Sequence, residues 1–206
     1  MSKFLKIYEN NPDPKVVDQA VEILRKGGLI IYPTDTVYGL GCDITKLRAL
    51  EKVARIKQVK LEKANFSFIC YDLSNLSAYV RQLETPTYKI LKRALPGPYT
   101  FILKGNNNLP KPFKNKATVG IRVPDNNIIR TIVKELGNPI ISTSIYDEDD
   151  VIEYTTDPEL IFEKWRDKVD LVLDGGYGGN IASTIIDLSD DDIVVVREGK
   201  GSLDIL

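Results

Sequence analysis

The feature that most constrains this chain is a short apolar run, residues 29–32, that passes directly into a polar segment. The run Leu-Ile-Ile-Tyr predicts a buried strand. Pro33 ends this strand because proline has no N–H for the ladder. Two threonines, an aspartate and a tyrosine follow within residues 34–38, and Gly39 and Gly41 then allow a turn or a close approach to a ligand. The pattern fits a ligand loop at the carboxyl end of a strand, and it equally fits a hydroxyl-rich turn that satisfies its own backbone.

The same segment carries a family resemblance. Pro-Thr-Asp-Thr-Val-Tyr-Gly-Leu-Gly-Cys-Asp at residues 33–43 resembles the signature loop of the YrdC-like family, which includes enzymes that make threonylcarbamoyl-adenylate for tRNA modification. Further motifs follow in the family's order over nearly the whole chain: Pro-Gly-Pro-Tyr-Thr at 96–100, Val-Gly-Ile-Arg-Val-Pro at 119–124, Ile-Ser-Thr-Ser at 141–144, Asp-Gly-Gly at 174–176, Ser-Thr-Ile-Ile-Asp at 183–187 and Arg-Glu-Gly at 197–199. The resemblance implies an α/β fold: a single domain over residues 1–206, with a twisted open mixed sheet, flanking helices and a concave basic surface.

The local signals agree with a mixed sheet. Helical and strand patterns interleave without strict βαβ regularity, and the two last strands, 183–188 and 193–197, adjoin as a hairpin. Helix starts are predicted at Asp13, Thr45 and Asp125, each of which has a side chain able to cap the first turn.

Composition excludes several kinds of site. The 206 residues include no histidine, which removes Ser-His and Cys-His catalysis and histidine-ligated zinc. The two cysteines, Cys42 and Cys70, have no metal-binding spacing, and we expect reduced thiols in a cytoplasmic protein. No apolar run is long enough for a membrane span, and the N-terminus lacks the apolar region of a signal peptide. We therefore expect no membrane partner and no protein-bound metal.

Charge is segregated along the chain. Residues 46–134 hold 18 Lys and Arg against 5 Asp and Glu, whereas residues 135–192 hold 3 against 16. The net charge is therefore about +13 in the first segment and about −13 in the second. The acidic stretch 147–150 is expected to be exposed. A basic surface of this size attracts the phosphates of a nucleotide or of RNA, unless the two segments pair with each other in the fold.

Four cations are candidates for holding phosphate: Lys57, Lys63, Arg122 and Arg197. Arg122 stands out because it interrupts an apolar strand, and strand alternation places it on one face with Gly120. A guanidinium there needs an anionic partner, which is either a ligand or an internal carboxylate.

The resemblance extends these candidates residue by residue. Implied nucleotide and threonine contacts are Thr34, Tyr38, Lys57, Thr118, Arg122, Thr143, Ser183 and Arg197. The basic residues Lys60, Lys63, Lys111, Lys114 and Lys116 would form an RNA-binding surface beside them. No catalytic side chain is identified.

Two departures from the family pattern bear on activity. Val59 replaces the arginine of a Lys-x-Arg motif, and Ile145 replaces the asparagine of a Ser-x-Asn motif. A third position, often histidine in active synthases, falls near Ile69. The stretches Arg-Ile-Lys-Gln at 55–58 and Ser-Thr-Ser at 142–144 resemble the YciO branch of the family. Valine cannot replace a bidentate phosphate contact, so reduced synthase activity is expected.

Two functions therefore remain open. In one, the protein is an enzyme that binds ATP or AMP and L-threonine and makes threonylcarbamoyl-adenylate from threonine, bicarbonate and ATP, with Mg²⁺ accompanying the nucleotide. In the other, it is a relative that binds nucleotide or double-stranded or structured RNA, with weak or no synthase activity.

Overall fold

A computed structural model describes residues 1–145 and 152–206. The predicted exposure of the acidic stretch 147–150 therefore lies outside the described residues. The strands are β1 Lys3–Lys6, β2 Ile30–Tyr32, β3 Gly39–Asp43, β4 Ser67–Ile69, β5 Tyr99–Lys104, β6 Thr118–Arg122, β7 Ile140–Ser144, β8 Leu171–Asp174, β9 Thr184–Asp187 and β10 Val194–Arg197. The α-helices are α1 Pro14–Arg25, α2 Leu47–Ile56, α3 Thr85–Ala94, α4 Asn127–Leu136, α5 Glu153–Thr156 and α6 Pro158–Trp165.

All of these strands form one mixed sheet in the order β1-β8-β2-β3-β7-β4-β6-β5-β9-β10. Four of its pairings are parallel and the others antiparallel, including the final hairpin of β9 with β10. The mixed α/β sheet with flanking helices and the terminal hairpin expected from the sequence are thus confirmed.

The two faces of the sheet are covered differently. One face carries a large apolar core that includes Leu40, Phe68, Phe101 and Ile121, with α2 and α6 packed on it. The other face is covered by α1 and α4 only over β8, β2 and the neighbouring ends of β4 and β7, where a second core forms. The part of this second face on β6, β5 and β9 lies outside that core, and the candidate site occupies it.

Gly39 and Gly41 serve the packing of the sheet. Both lie within β3, where they pair with Tyr32 and Ile30 of β2. A Cβ at Gly39 would lie 2.9 Å from the Tyr32 ring, and one at Gly41 would lie 2.5 Å from the Ile141 carbonyl oxygen. The expectation of a turn or a close ligand approach at these glycines was wrong, because the Tyr32 ring takes the space that side chains would fill.

Helix capping confirms one prediction and corrects two. The Asp13 carboxylate accepts a hydrogen bond from Lys15 N at the start of α1, as predicted. At α4 the cap is Asn126 instead of Asp125, since the Asn126 side chain accepts from the first free N–H groups. The cap position of α2 is Lys46, and Thr45 donates instead to the Asp43 carboxylate.

The two cysteines are free and buried within the apolar core. Burial raises the pKa of the Cys70 thiol from 9.0 to about 12 and also raises the pKa of the Cys42 thiol. Both thiols are therefore protonated and inaccessible near neutral pH. Separately, no helix among the described residues is long and apolar enough to cross a membrane.

We predict that the native protein reacts with Ellman's reagent much more slowly than the unfolded chain, because only an accessible thiolate attacks a disulfide. Absorbance at pH 8, with and without denaturant, measures this, and the Cys42→Ala variant assigns the signal to Cys70. Rapid reaction of two thiols in the native state would contradict the burial.

Candidate functional site: a pocket lined by hydroxyls and two arginines

The open part of the second sheet face carries small or polar side chains. Residues paired in neighbouring strands lie on the same face, and here Ser142 pairs with Ser67 and Ser67 with Gly120. Gly120 pairs in turn with Ile102, and Thr100 lies beside it on β5. Because the serine, glycine and threonine positions carry short side chains or none, the face is recessed there.

A cavity of about 180 Å³ occupies this recess. Its wall consists of Val37, Asn65, Ser67, Thr100, Arg122, Ser142, Thr143, Ser144, Ala182, Ser183, Ile185 and Arg197. Seven of these carry a hydroxyl or an amide and two carry a guanidinium, whereas no wall residue that the structure describes is a carboxylate. A second cavity of about 340 Å³ adjoins the first and shares Asn65, Ser67, Thr100 and Ile185 with it. That size falls in the range of small-molecule sites.

Arg122 is anchored from behind by the loop that follows β2. Its Nη2 donates to the Asp35 carboxylate at 2.7 Å, to Thr36 Oγ1 at 2.6 Å and to Thr34 Oγ1 at 3.2 Å. The other Asp35 carboxylate oxygen accepts from Asp125 N at 3.0 Å. The internal carboxylate expected as one possible partner of Arg122 is therefore Asp35. Nε of Arg122 remains buried with no hydrogen-bond partner among the described residues.

Arg197 approaches the pocket from the hairpin. Its Nη2 donates to the Ser183 carbonyl at 2.8 Å and lies 3.3 Å from Ser183 Oγ, which is itself 2.9 Å from Thr100 Oγ1. Partial burial and then the charge of Arg122 lower the pKa of the Arg197 guanidinium. Two cations thus face one cavity, and an anion placed between them would relieve their repulsion.

The structure brings together most of the predicted contacts but not all. Arg122, Thr143, Ser183 and Arg197 line the pocket, and Thr118 lines the adjoining cavity. Two more residues lie next to the wall. Thr34 bonds to the Val37 carbonyl and Thr36 N as well as to Arg122, and Lys57 Nζ lies 3.3 Å from the Ser144 carbonyl oxygen.

Tyr38 lies elsewhere. Its hydroxyl donates to the Gly176 carbonyl at 2.7 Å and accepts from Gly175 N, and its ring packs against Gly178. Burial raises the pKa of its phenol. Tyr38 thus fixes the glycine-rich turn after β8 and does not reach the pocket wall.

The three positions at which the chain departs from the family pattern differ in how far they are buried. Ile145 is 1% exposed and belongs to the apolar core, and Ile69 is fully buried in the core under α1 and α4. Val59 is 43% exposed in the turn after α2, one residue beyond Gln58, whose φ is +54°. None of the three lines either cavity.

Four of the five predicted RNA-contacting lysines are exposed: Lys60, Lys63, Lys111 and Lys114. The turns Leu61–Lys63 and Lys111–Phe113 pack against each other, so these lysines share one region of the surface. Lys116 differs, because its Nζ donates to the Ala64 carbonyl and burial lowers its pKa. Between the basic and acidic segments, the only ion pair that the described residues form is Lys104 with Asp190, so the acidic residues that the structure describes neutralise little of the basic excess by ion pairing.

Several residues of the site were not predicted. Among the polar ones, Asn65, Ser67 and Thr100 line both cavities. Nearby, Lys200 Nζ donates to the carbonyl of Asp35, the residue that pairs with Arg122, at 2.5 Å. The alternation of Phe66, Ser67 and Phe68 was the available signal for Ser67. For Lys200 no local pattern existed, because the contact joins residues far apart in the chain. The residues that the structure describes contain no group of three or more acidic or cysteine side chains that could hold a metal ion.

Comparisons with known proteins agree with this architecture. A family model for Sua5, YciO and YrdC proteins, described as Telomere recombination, matches residues 22–199. The uncharacterized protein YciO of Escherichia coli is 43% identical over 98% of each chain, and its crystal structure superposes with a TM-score of 0.90 over 100% of this chain and 99% of that one.

Two further relatives extend the comparison. A Methanocaldococcus jannaschii protein provisionally named threonylcarbamoyl-AMP synthase is 35% identical over 96% of this chain and 93% of its own. P. abyssi Sua5 in complex with L-threonine shares the fold at 24% identity, with a TM-score of 0.85 over 96% of this chain and 58% of that one. The chain therefore belongs to the Sua5/YciO/YrdC family.

Proposed function

We propose that the pocket binds the phosphates of ATP or AMP, with L-threonine beside them, in chemistry related to threonylcarbamoyl-adenylate synthesis. The observation that carries the proposal is the pair of arginines on a cavity whose described wall has no carboxylate. The unpartnered, buried Nε of Arg122 adds a donor that a ligand oxygen would satisfy. The naming of relatives as threonylcarbamoyl-AMP synthases supports the substrate class.

The reaction needs no nucleophilic side chain. Threonine's amine and bicarbonate supply the attacking atoms, and ATP supplies the adenylyl group with pyrophosphate as the leaving group. The protein's contribution is orientation and charge stabilisation, with Arg122 and Arg197 on phosphate oxygens and the hydroxyls of Thr143 and Ser183 orienting the substrates. Mg²⁺ would arrive with the nucleotide and offset charge that the arginines leave uncompensated.

The proposal is tested by calorimetric titration of ATP and AMP into the purified protein. In parallel, the adenylate and pyrophosphate are followed during incubation with ATP, threonine, bicarbonate and Mg²⁺. Because valine replaces the family's arginine at position 59, we expect nucleotide binding together with slow adenylate formation. No heat of binding with either nucleotide would refute the proposal. Binding without any product would assign the protein to a nucleotide-binding role.

Structured RNA is a second candidate ligand. The observation that favours it is the group of Lys60, Lys63, Lys111 and Lys114, which are exposed, share one region of the surface and are not ion-paired with any described residue. Such a group would contact phosphates without reading sequence.

We predict that RNA binding weakens steeply with salt, and that replacing all four lysines by glutamine lowers the log–log slope by about 0.7–0.9 for each lysine that contacts a phosphate. Fluorescence anisotropy of a labelled RNA hairpin between low and moderate salt measures this. A Lys89→Gln, Lys92→Gln variant on α3, which removes two charges instead of four, is the control for non-specific effects, and the change in slope is compared per lysine removed. An unchanged slope in the fourfold variant would remove this surface as the RNA contact.

A further inference from the structure

The last strand of the sheet, β10, exposes apolar side chains on both of its faces. Four consecutive branched residues are between 39% and 54% exposed: Ile193, Val194, Val195 and Val196. Val194 pairs with Asp187, which lines the larger cavity on the open face, whereas Val195 pairs with Ile186 of the apolar core. Neither face of β10 is therefore covered. Contiguous exposed apolar surface of this kind marks an interaction site.

The backbone of β10 also has a free edge. β10 is the terminal strand of the sheet and pairs only with β9 among the described residues. The other edge strand, β1, carries exposed lysines at both ends, which is a common device against the addition of a further strand. β10 has no charge between Ile193 and Val196. The edge is thus open to pairing with an extended segment.

A groove of about 400 Å³ adjoins the start of β10. It lies between the beginning of α3 and the turn that joins β9 to β10, and its wall includes the apolar residues Leu83, Pro86, Ile90, Leu188 and Ile193. Three carboxylates and two cations also line it. One cation, Lys104, is ion-paired with Asp190, whereas Glu84 and Asp191 form no ion pair with any described residue. A side chain with an apolar stem and a cationic end matches such a groove.

The charges that flank the apolar run are acidic at both ends. Asp191 and Asp192 precede the run and Glu198 follows it, and all three side chains belong to exposed residues. None of the three is ion-paired with a residue that the structure describes. These carboxylates are therefore available to a partner.

The basic side chains next to β10 already have partners within the chain. Arg197 Nη2 donates to the Ser183 carbonyl at 2.8 Å in the pocket wall, and Lys200 Nζ donates to the Asp35 carbonyl at 2.5 Å. A second copy of β10 would therefore bring acidic ends against acidic ends, which is unfavourable. Charge complementarity instead requires an occupant with basic ends.

We propose that β10 and the adjoining groove bind an extended segment of a partner protein, in which apolar residues alternate with polar ones and Lys or Arg stands at both ends. The segment would add to the sheet as a strand beside β10, so that main-chain hydrogen bonds provide affinity and side chains provide specificity. Its apolar residues would cover Val194 and Val195. One Lys or Arg would enter the groove, whose wall contains Glu84 and Asp191.

Fluorescence anisotropy with two labelled synthetic peptides tests the charge requirement. Both contain three valines alternating with threonines, and two lysines flank the core in one peptide and two glutamates in the other. We expect the lysine peptide to bind with a dissociation constant below about 1 mM, and the glutamate peptide to bind at least about tenfold more weakly. No binding of the lysine peptide, or equal binding of both, would overturn the proposal.

Charge reversal on the protein is the reciprocal test. Asp191→Lys with Asp192→Lys should weaken binding of the lysine peptide at least about tenfold, because it removes the acidic end of the edge. Glu9→Lys with Asp18→Lys is the matched control. It changes the net charge equally at two exposed positions near the opposite edge of the sheet, and it should bind as the wild type does. Equal losses in the two variants would reduce the effect to net charge and contradict the proposal.

Hydrogen–deuterium exchange followed by mass spectrometry tests strand addition itself. The lysine peptide should slow exchange in residues 193–197 and leave β1 unchanged. Val194→Thr with Val195→Thr keeps the shape of both side chains but lowers their apolar surface, so it should weaken binding about threefold to tenfold. Binding without protection of β10 would refute strand addition. A wild-type protein that dimerises through β10 in sedimentation equilibrium would assign the edge to a second copy and would also overturn the proposal.

Discussion

The Arg122→Gln variant is expected to lose about 3–5 kcal/mol of its free energy of unfolding, because it leaves the Asp35 carboxylate buried without its cation. The side chains of Arg122 and Asp35 are 10% and 9% exposed, and their atoms lie 2.7 Å apart. Because both side chains are largely buried, removing one partner leaves the other charge without a partner and with little access to water. Urea denaturation followed by circular dichroism measures the loss.

A double-mutant cycle separates the ion pair from other effects of the substitution. Asp35→Asn alone should also destabilise the protein, since it leaves Arg122 charged and without its carboxylate. The double variant Asp35→Asn, Arg122→Gln should be more stable than the sum of the two single losses predicts, because neither charge is then stranded. Strictly additive losses would show that Asp35 and Arg122 do not interact in solution.

Nucleotide binding should respond differently to the same cycle. Loss of one charge-assisted contact, worth about 1.5–3 kcal/mol, weakens ATP or AMP binding on the order of tenfold or more. The double variant regains stability but not affinity, because the guanidinium that faces the phosphates is still absent. If the double variant bound ATP as the wild type does, Arg122 would be purely structural and the phosphate site would lie elsewhere.

The second large effect is expected at Ile145. Because Ile145 is 1% exposed within the apolar core, Ile145→Asn removes packed side-chain volume and buries an amide, costing about 3 kcal/mol or more. Ile145→Val, which removes one methyl group and adds no polar atom, is the apolar control and should cost only about 0.5–1.5 kcal/mol. Thermal and urea unfolding of the three proteins measure these differences. If Ile145→Asn were as stable as the wild type, the asparagine side chain would have to point out of the apolar core.

The other departure from the family pattern, Val59, should tolerate substitution by the family's residue with little loss of stability. Its side chain is half-exposed, so Val59→Arg should change the stability by no more than about 0.5 kcal/mol. An arginine there starts two residues beyond Lys57, which already reaches the Ser144 carbonyl at the pocket wall. We expect ATP affinity and adenylate formation to rise, by up to about tenfold in affinity. Adding Ile145→Asn to this variant should bring no further gain. Unchanged binding by Val59→Arg would show that position 59 does not reach the nucleotide.

Much of this protein could be predicted from short stretches of sequence. The buried strand before Pro33, the Asp13 cap and the terminal hairpin follow from local backbone preferences that need only neighbouring residues. The positions of Arg122, Thr143, Ser183 and Arg197 at one pocket were indicated by their motifs, since each motif lies at a strand end or on the open face.

Other features depended on residues distant in the chain. Whether Arg122 has an internal partner was open until the fold placed Asp35 beside it, 87 residues away. Tyr38 shares a motif with Thr34 but points to the opposite side of the loop, where the glycines after β8 leave space for its ring. Gly39 and Gly41 are explained by a ring on the neighbouring strand, which no local pattern could show.

The sequence by itself therefore determined the family, most of the strands and helices and the residues available for binding phosphate, because these depend on local preference and motif order, although β1 and β3 were not predicted. Only the tertiary structure decided which side chains face the pocket and which face the core, as Ile145 and Tyr38 show. It also decided that β1 and β10 are the two edge strands, because edge position is a property of strand order in the sheet. The physical reason is that burial and pairing are set by contacts between distant segments, which a single stretch of sequence does not contain.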